Sequence, residues 1–159
     1  MKNLNKLLSF VLLLGTIWAF YSVFQEFSAF YRLEGTIFKI EDCLIPNPVT
    51  TPCFYGAFGF LIALIWSWRI LKFDELKKKL HNKYLGIFLF AGSTFAWFNA
   101  GSDLIEYYGL EDRAAGIIGC SGGVVHNPFT TPCFIGASLF LLSFLVSLVN
   151  IYLSRNKNY

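Results

Sequence analysis

An all-α integral membrane protein is predicted, a bundle of four transmembrane helices made by tandem duplication of a two-helix hairpin. Two observations carry this. The segment N-P-V-T-T-P-C-F-Y-G-A at residues 47–57 recurs as N-P-F-T-T-P-C-F-I-G-A at residues 127–137, an offset of 80 in a chain of 159. The composition is 55% hydrophobic, 19% aromatic and 14% charged, more apolar surface than a water-soluble domain of this size can bury. Weaker echoes at the same offset, Phe10 with Phe90, Glu26 with Glu106 and Phe27 with Tyr107, extend the repeat beyond the motif.

Each element follows from this pattern. A hydrocarbon core takes roughly 20 apolar residues in a helix, and four runs approach that length, 7–24, 54–71, 85–102 and 134–153. The chain thus divides into hairpin repeats 1–80 and 81–159 within one membrane domain. The first run follows Lys2 and Lys6, as a signal peptide would, but ends in Trp18, Ala19, Phe20 and Tyr21 with no small-x-small cleavage site, so it is read as a retained span.

Basic residues set the expected orientation, because Lys and Arg are retained on the cytoplasmic side. Lys2, Lys6, Arg69, Lys72, Lys77, Lys78, Lys79, Lys83, Arg155 and Lys157 fall on one side, and Arg32, Lys39 and Arg113 on the other. Both termini and the 74–84 linker are therefore expected in the cytoplasm of a multi-pass cytoplasmic-membrane protein, with the two cysteine loops extracytoplasmic. The net charge of +3 is accounted for by these inner lysines, which leaves nucleic acid no claim.

All four cysteines, Cys43, Cys53, Cys120 and Cys133, fall in the loops of the expected outer face or beside them. Four cysteines allow three pairings. The duplication favours Cys43 with Cys53 and Cys120 with Cys133, and a second symmetric arrangement joins Cys43 to Cys120 and Cys53 to Cys133. In Thr51-Pro52-Cys53 and Thr131-Pro132-Cys133, threonine suits an N-cap and proline the first helical position, which puts each cysteine at the start of a membrane helix. The partial positive charge there favours thiolate, the form that attacks a disulfide. The same residues also serve simply to begin a helix and pin a loop, so structural and redox-active cysteines both stand as readings. Cys120, His126 and Cys133 would make an incomplete metal set, with Pro46 where a first-loop histidine would be, and no metal site is expected.

Asn99, Asp103 and Glu106 share one face of the third helix at spacings of four and three, close beneath the loops, and are the candidate cofactor-binding residues. Glu26 reads as a headgroup-zone residue ending the first helix. His126 adds a titratable group to the second loop, suited to carrying a proton for a thiolate or a quinone. Arg32 and Arg113 are expected to pair with Glu34, Glu111 or Asp112. Small residues Gly92, Ala96 and Ala100, and Gly56, Ala57 and Gly59 with Gly136, Ala137 and Ser138, permit close helix approach just below the cysteines, where a crevice could admit a flat ring.

In topology the chain resembles the bacterial DsbB-type quinone-linked thiol oxidases, and more loosely the vitamin K epoxide reductases, with two cysteines in each outer loop. It departs from them in lacking C-x-x-C, its cysteines being separated by nine and twelve residues. The resemblance implies a thiol–disulfide oxidoreductase passing electrons between extracytoplasmic cysteines, a thiol protein partner and a quinone, with Cys43, Cys53, Cys120, Cys133 and His126 as catalytic candidates. The competing expectation is a non-enzymatic scaffold or accessory subunit, its outer loops pinned by two structural disulfides and binding a partner protein. A conduit along the Asn99–Asp103–Glu106 stripe is a third.

Overall fold

A computed structural model of the chain describes residues 2–40, 45–109, 116–118 and 124–156. Four helices alternate in direction, α1 (Lys2–Glu34), α2 (Pro52–Ile70), α3 (Glu75–Gly109) and α4 (Pro132–Asn156), with each packed against both of its neighbours around the bundle. Two short turns of 3-10 helix, Pro48–Thr50 and Pro128–Thr130, precede α2 and α4. The described residues also contain one antiparallel pair, β1 (Ile117–Ile118) with β2 (Val124–Val125), matching Ile117 to Val125. This two-residue ladder is the single addition to the all-helical expectation.

Helix boundaries follow from capping. α1 stops at Gly35, whose φ of 69° is left-handed and whose N–H donates to the Tyr31 carbonyl at 2.9 Å. α3 begins after Asp74, whose carbonyl accepts from Lys78 N at 2.9 Å, with Glu75 in the first turn beside the positive end of the helix. Between α2 and α3 the chain reverses through tight bonds from Lys72 N to Arg69 O at 3.1 Å and Phe73 N to Ile70 O at 3.2 Å.

Around a hydrophobic core that includes Leu8, Leu12, Phe60, Leu64, Leu85 and Phe140, the bundle exposes apolar residues on its outer surface and buries polar ones inside. Phe10, Ile17, Phe24, Ile62, Phe90, Phe98 and Leu145 are exposed, while Asn5, Ser9, Ser67, Asn82, Ser147 and Asn150 are buried. Lipid offers no hydrophobic drive between helices, so interiors are free to hold polar residues that hydrogen-bond across them. Here Ser9 Oγ meets Ser67 Oγ at 2.6 Å, and Asn150 Nδ2 donates to Asn5 Oδ1. Three of the described helices, α1, α2 and α4, are long and apolar enough to span a membrane. The run 85–102 expected as a fourth span lies within α3, which falls short because Gly86, Gly92, Ser93, Thr94, Asn99 and Ser102 dilute its apolar content.

The duplication is visible in three dimensions as pairs of repeat mates meeting across the bundle axis. Phe60 of α2 stacks on Phe140 of α4 with centroids 3.9 Å apart and planes 31° apart, and both rings are buried. Gly15 on α1 allows Phe60 its place, since a Cβ there would stand 2.4 Å from Phe60 Cε1. Because Phe60 is held by Phe140, Gly15→Ala is expected to destabilise the bundle by about 1–3 kcal/mol, the usual cost of overpacking. Thermal unfolding of the detergent-solubilised protein measures this, and an unchanged midpoint would mean that the Phe60 ring is free to move aside.

Candidate functional site

The motif repeated in the sequence folds twice in the same way. Asn47 Oδ1 accepts from Val49 N at 3.0 Å, and Asn127 Oδ1 accepts from Phe129 N at 3.0 Å, each closing an Asx turn that carries proline into a 3-10 turn. Thr51 Oγ1 accepts from Phe54 N at 3.4 Å, and Thr131 Oγ1 from Phe134 N at 3.2 Å, so each threonine caps the helix that its Pro-Cys pair begins. Each threonine hydroxyl also lies 2.8 Å from the carbonyl oxygen of the proline three residues before it. The N-cap, the first-position proline and the helix-starting cysteine expected from the sequence are all present.

These two helix starts bring Cys53 and Cys133 together with their sulfurs 2.9 Å apart. Cys53 is a free thiol and half-buried, while Cys133 is buried. The expected bridge from Cys43 to Cys53 is therefore not formed, and neither is one from Cys53 to Cys133, although those two sulfurs touch. The reason is geometric: both cysteines sit at N-termini of helices that face each other across the pseudo-twofold axis, which turns Cys53 towards its repeat mate. Cys43 and Cys120 lie outside the described residues, as do Glu111, Asp112 and Arg113.

Below the sulfurs an apolar cavity of about 140 Å³ is lined by residues of all four helices. Trp18 and Ser22 of α1, Cys53, Gly56 and Phe60 of α2, Gly92, Phe95 and Asn99 of α3, and Cys133, Gly136 and Phe140 of α4 line it. The glycines leave the room, and the Phe60–Phe140 stack contributes to the walls. This is the crevice that the small residues of the sequence imply. Asn99 lines it while its Nδ2 donates to Phe95 O at 2.8 Å. The indole N–H of Trp18, another lining residue, is buried and has no hydrogen-bond partner.

Among the other candidates, Asp103 is buried on α3. Glu106 and His126 are exposed and do not line the cavity, so the polar stripe divides, with Asn99 lining the cavity, Asp103 buried and Glu106 exposed. Glu34 pairs with Lys39 at 2.6 Å, while the exposed Arg32 donates from Nε to Ser28 O at 3.3 Å, which replaces the expected Arg32–Glu34 pair.

Glu26 does not end its helix in the headgroup zone as the sequence suggests. Its Oε2 lies 3.2 Å from Thr51 Oγ1 at the start of α2, and its Oε1 is buried without a hydrogen bond. The signal was present: no glycine or proline stands between Thr16 and Glu34, so α1 runs two turns past Glu26.

Compared with known proteins, the chain matches no family model, no curated protein and no solved structure. What the fold defines is a helical bundle, three of whose helices are long and apolar enough to span a membrane, with a pair of adjacent cysteines above an apolar cavity.

Proposed function

We propose that the protein is a membrane thiol–disulfide oxidoreductase in which Cys53 and Cys133 exchange a disulfide across the repeat axis and deliver electrons to a quinone in the cavity beneath them. The observation that carries this reading is the 2.9 Å contact between the two sulfurs in the wall of an apolar cavity. Thiol–disulfide exchange needs a thiolate in reach of a bonded sulfur. Cys53 supplies the thiol, and Cys133, held in a disulfide, supplies the bonded sulfur.

The cavity supports the second half of the reading. A void of roughly 150 Å³ lined by apolar side chains takes a benzene ring, and this one is of that size. An unpartnered indole N–H at Trp18 and the amide of Asn99 are polar handles for ring carbonyls on an otherwise apolar guest. The electron balance is closed: two thiols become a disulfide, losing two electrons and two protons, and a quinone becomes a hydroquinone. Cysteine loops on the extracytoplasmic side would meet a thiol protein partner there.

The scaffold reading, with both loops pinned by structural disulfides, requires a bonded Cys53, and the free thiol at that position weighs against it. The two are separated by reducing the protein in lipid nanodiscs with a mild dithiol, removing the dithiol, and adding a short-chain quinone. Hydroquinone should form in step with the loss of alkylatable thiols. Thiols that persist beside unreduced quinone would instead identify a scaffold.

A further inference from the structure

At the far end of α2 from Cys53, roughly 24 Å away at 1.5 Å per residue, the bundle carries a groove that the duplication does not repeat. Ile62, Ile65, Trp66 and Arg69 of α2, Phe73 of the following turn and His81 of α3 line it, around an open space of about 400 Å³. Ile62 and Ile65 are half exposed and have apolar repeat mates in Leu142 and Leu145. Trp66 and Arg69 instead stand where the second repeat has Val146 and Val149. A lipid-facing surface accounts for the first pair. The second pair needs another reason.

The polar half of the groove is held in place by its own contacts. Trp66 Nε1 donates to His81 Nδ1 at 3.3 Å. An indole N–H only donates, so Nδ1 is the bare nitrogen of the imidazole and the ring proton sits on Nε2. That N–H makes no hydrogen bond among the described residues. The His81 ring packs on Phe73 with centroids 4.7 Å apart, and Trp66 packs in turn on Phe88 at 6.2 Å. Arg69 is exposed, and its guanidinium forms no ion pair among the described residues. Glu75, a nearby carboxylate, is bound to Lys78 at 3.1 Å. From Arg69 to Lys83 the chain carries six basic residues against two acidic ones, so the positive charge around the groove is not balanced locally.

We infer that this groove is a binding site for one anionic phospholipid. The headgroup phosphate accepts from the Arg69 guanidinium and from His81 Nε2–H, and an acyl chain lies along Ile62 and Ile65. Arginine binds phosphate through paired N–H donors, and basic pockets between membrane helices suit acidic headgroups. The apolar half of the groove selects a lipid over a free phosphate ion. The unbalanced positive charge selects an anionic headgroup over a zwitterionic one. Neither Cys53 nor Cys133 lines the groove, so lipid binding there is independent of the exchange proposed for them.

The test is native mass spectrometry of the full-length protein in neutral detergent micelles, titrated with phosphatidylglycerol, with phosphatidylcholine of the same chains, and with inorganic phosphate. Wild type is expected to take up one phosphatidylglycerol about tenfold more tightly than phosphatidylcholine, and millimolar inorganic phosphate should not displace it. Arg69→Gln should weaken phosphatidylglycerol binding by about tenfold, the effect of removing a hydrogen bond to a charged group. His81→Phe, which keeps a ring beside Phe73 but has no N–H, should weaken it by a smaller factor. Lys83→Gln removes a charge of the same segment outside the groove, and should change affinity by less than about twofold because an exposed charge out of contact is screened. Arg69 and Lys83 are both exposed, so neither substitution disturbs the core. Equal affinity for the two lipids, wild-type binding by Arg69→Gln, or equal losses in Arg69→Gln and Lys83→Gln would overturn the site and leave only a diffuse attraction to the basic surface. Displacement by inorganic phosphate would overturn the lipid as its occupant.

Discussion

Cys53→Ser is expected to abolish dithiol-dependent quinone reduction while leaving thermal stability within about 1 kcal/mol of wild type. Serine keeps the size and the position at the start of α2 but cannot form the bond to Cys133. The loss should be complete, because Cys53 is the free thiol of the pair and the attack begins there. Hydroquinone formation measures the activity, and the unfolding midpoint measures the fold. A Cys53→Ser protein that still reduces quinone at the wild-type rate would place the electron path elsewhere. A merely structural cysteine would show the opposite pattern, with stability lost and any residual activity tracking the amount of folded protein.

The second large effect is on packing. Phe60 is 1% exposed, stacked on its repeat mate Phe140, and shaped to by Gly15. Phe60→Ala should cost about 3–5 kcal/mol, the range for buried aromatic truncations, read from unfolding in a denaturing detergent titration. It would also enlarge the adjoining cavity, so binding of a ring-sized guest should weaken as its walls withdraw. Phe10→Ala, at a position 57% exposed on the outer face, should change stability by no more than about 0.5 kcal/mol. If the two substitutions cost the same, the stack is not the centre of the bundle.

Much of this architecture is legible in the sequence because it rests on local rules. Thr-Pro-Cys announces a capped helix start wherever it occurs, and a repeated motif announces a repeated fold. The small residues near the cysteines foretell the crevice. Harder to read is anything that depends on how helices face one another. The free Cys53 and its contact with Cys133 arise from the meeting of α2 and α4 across the repeat axis, which loop symmetry within a hairpin does not disclose. The extents of α1 and α3 are also hidden by apolarity alone: at 33 residues α1 is about 50 Å long, well beyond a hydrocarbon core of roughly 30 Å. Cutting it at Phe24, where the apolar run ends, leaves Glu26 outside the helix and conceals its approach to Thr51. Conversely, Asn99, Asp103 and Glu106 fall on one helical face by spacing, but rotation of α3 against its neighbours buries Asp103 and exposes Glu106.

A buried polar layer at the opposite end of the bundle escaped notice for a different reason. Asn5, Ser9, Ser67, Asn82, Ser147 and Asn150 are scattered within and just outside the apolar runs, and only packing gathers them. Interhelical hydrogen bonds of this kind contribute about 0.6 kcal/mol each in membrane proteins. Here two such bonds are formed, Ser9 with Ser67 and Asn150 with Asn5, joining α1 to α2 and to α4.

The measurement that bears most directly on the exchange between Cys53 and Cys133 is peptide mapping of disulfides in native membranes. Samples are acid-quenched and alkylated at rest, after a mild dithiol, and after quinone. The account predicts a peptide pair joined through Cys53 and Cys133 that appears during turnover, with matching protection of Cys53 from alkylation. A Cys53 that remains fully alkylatable in all three states, with no peptide joined to Cys133 through it, would contradict the account.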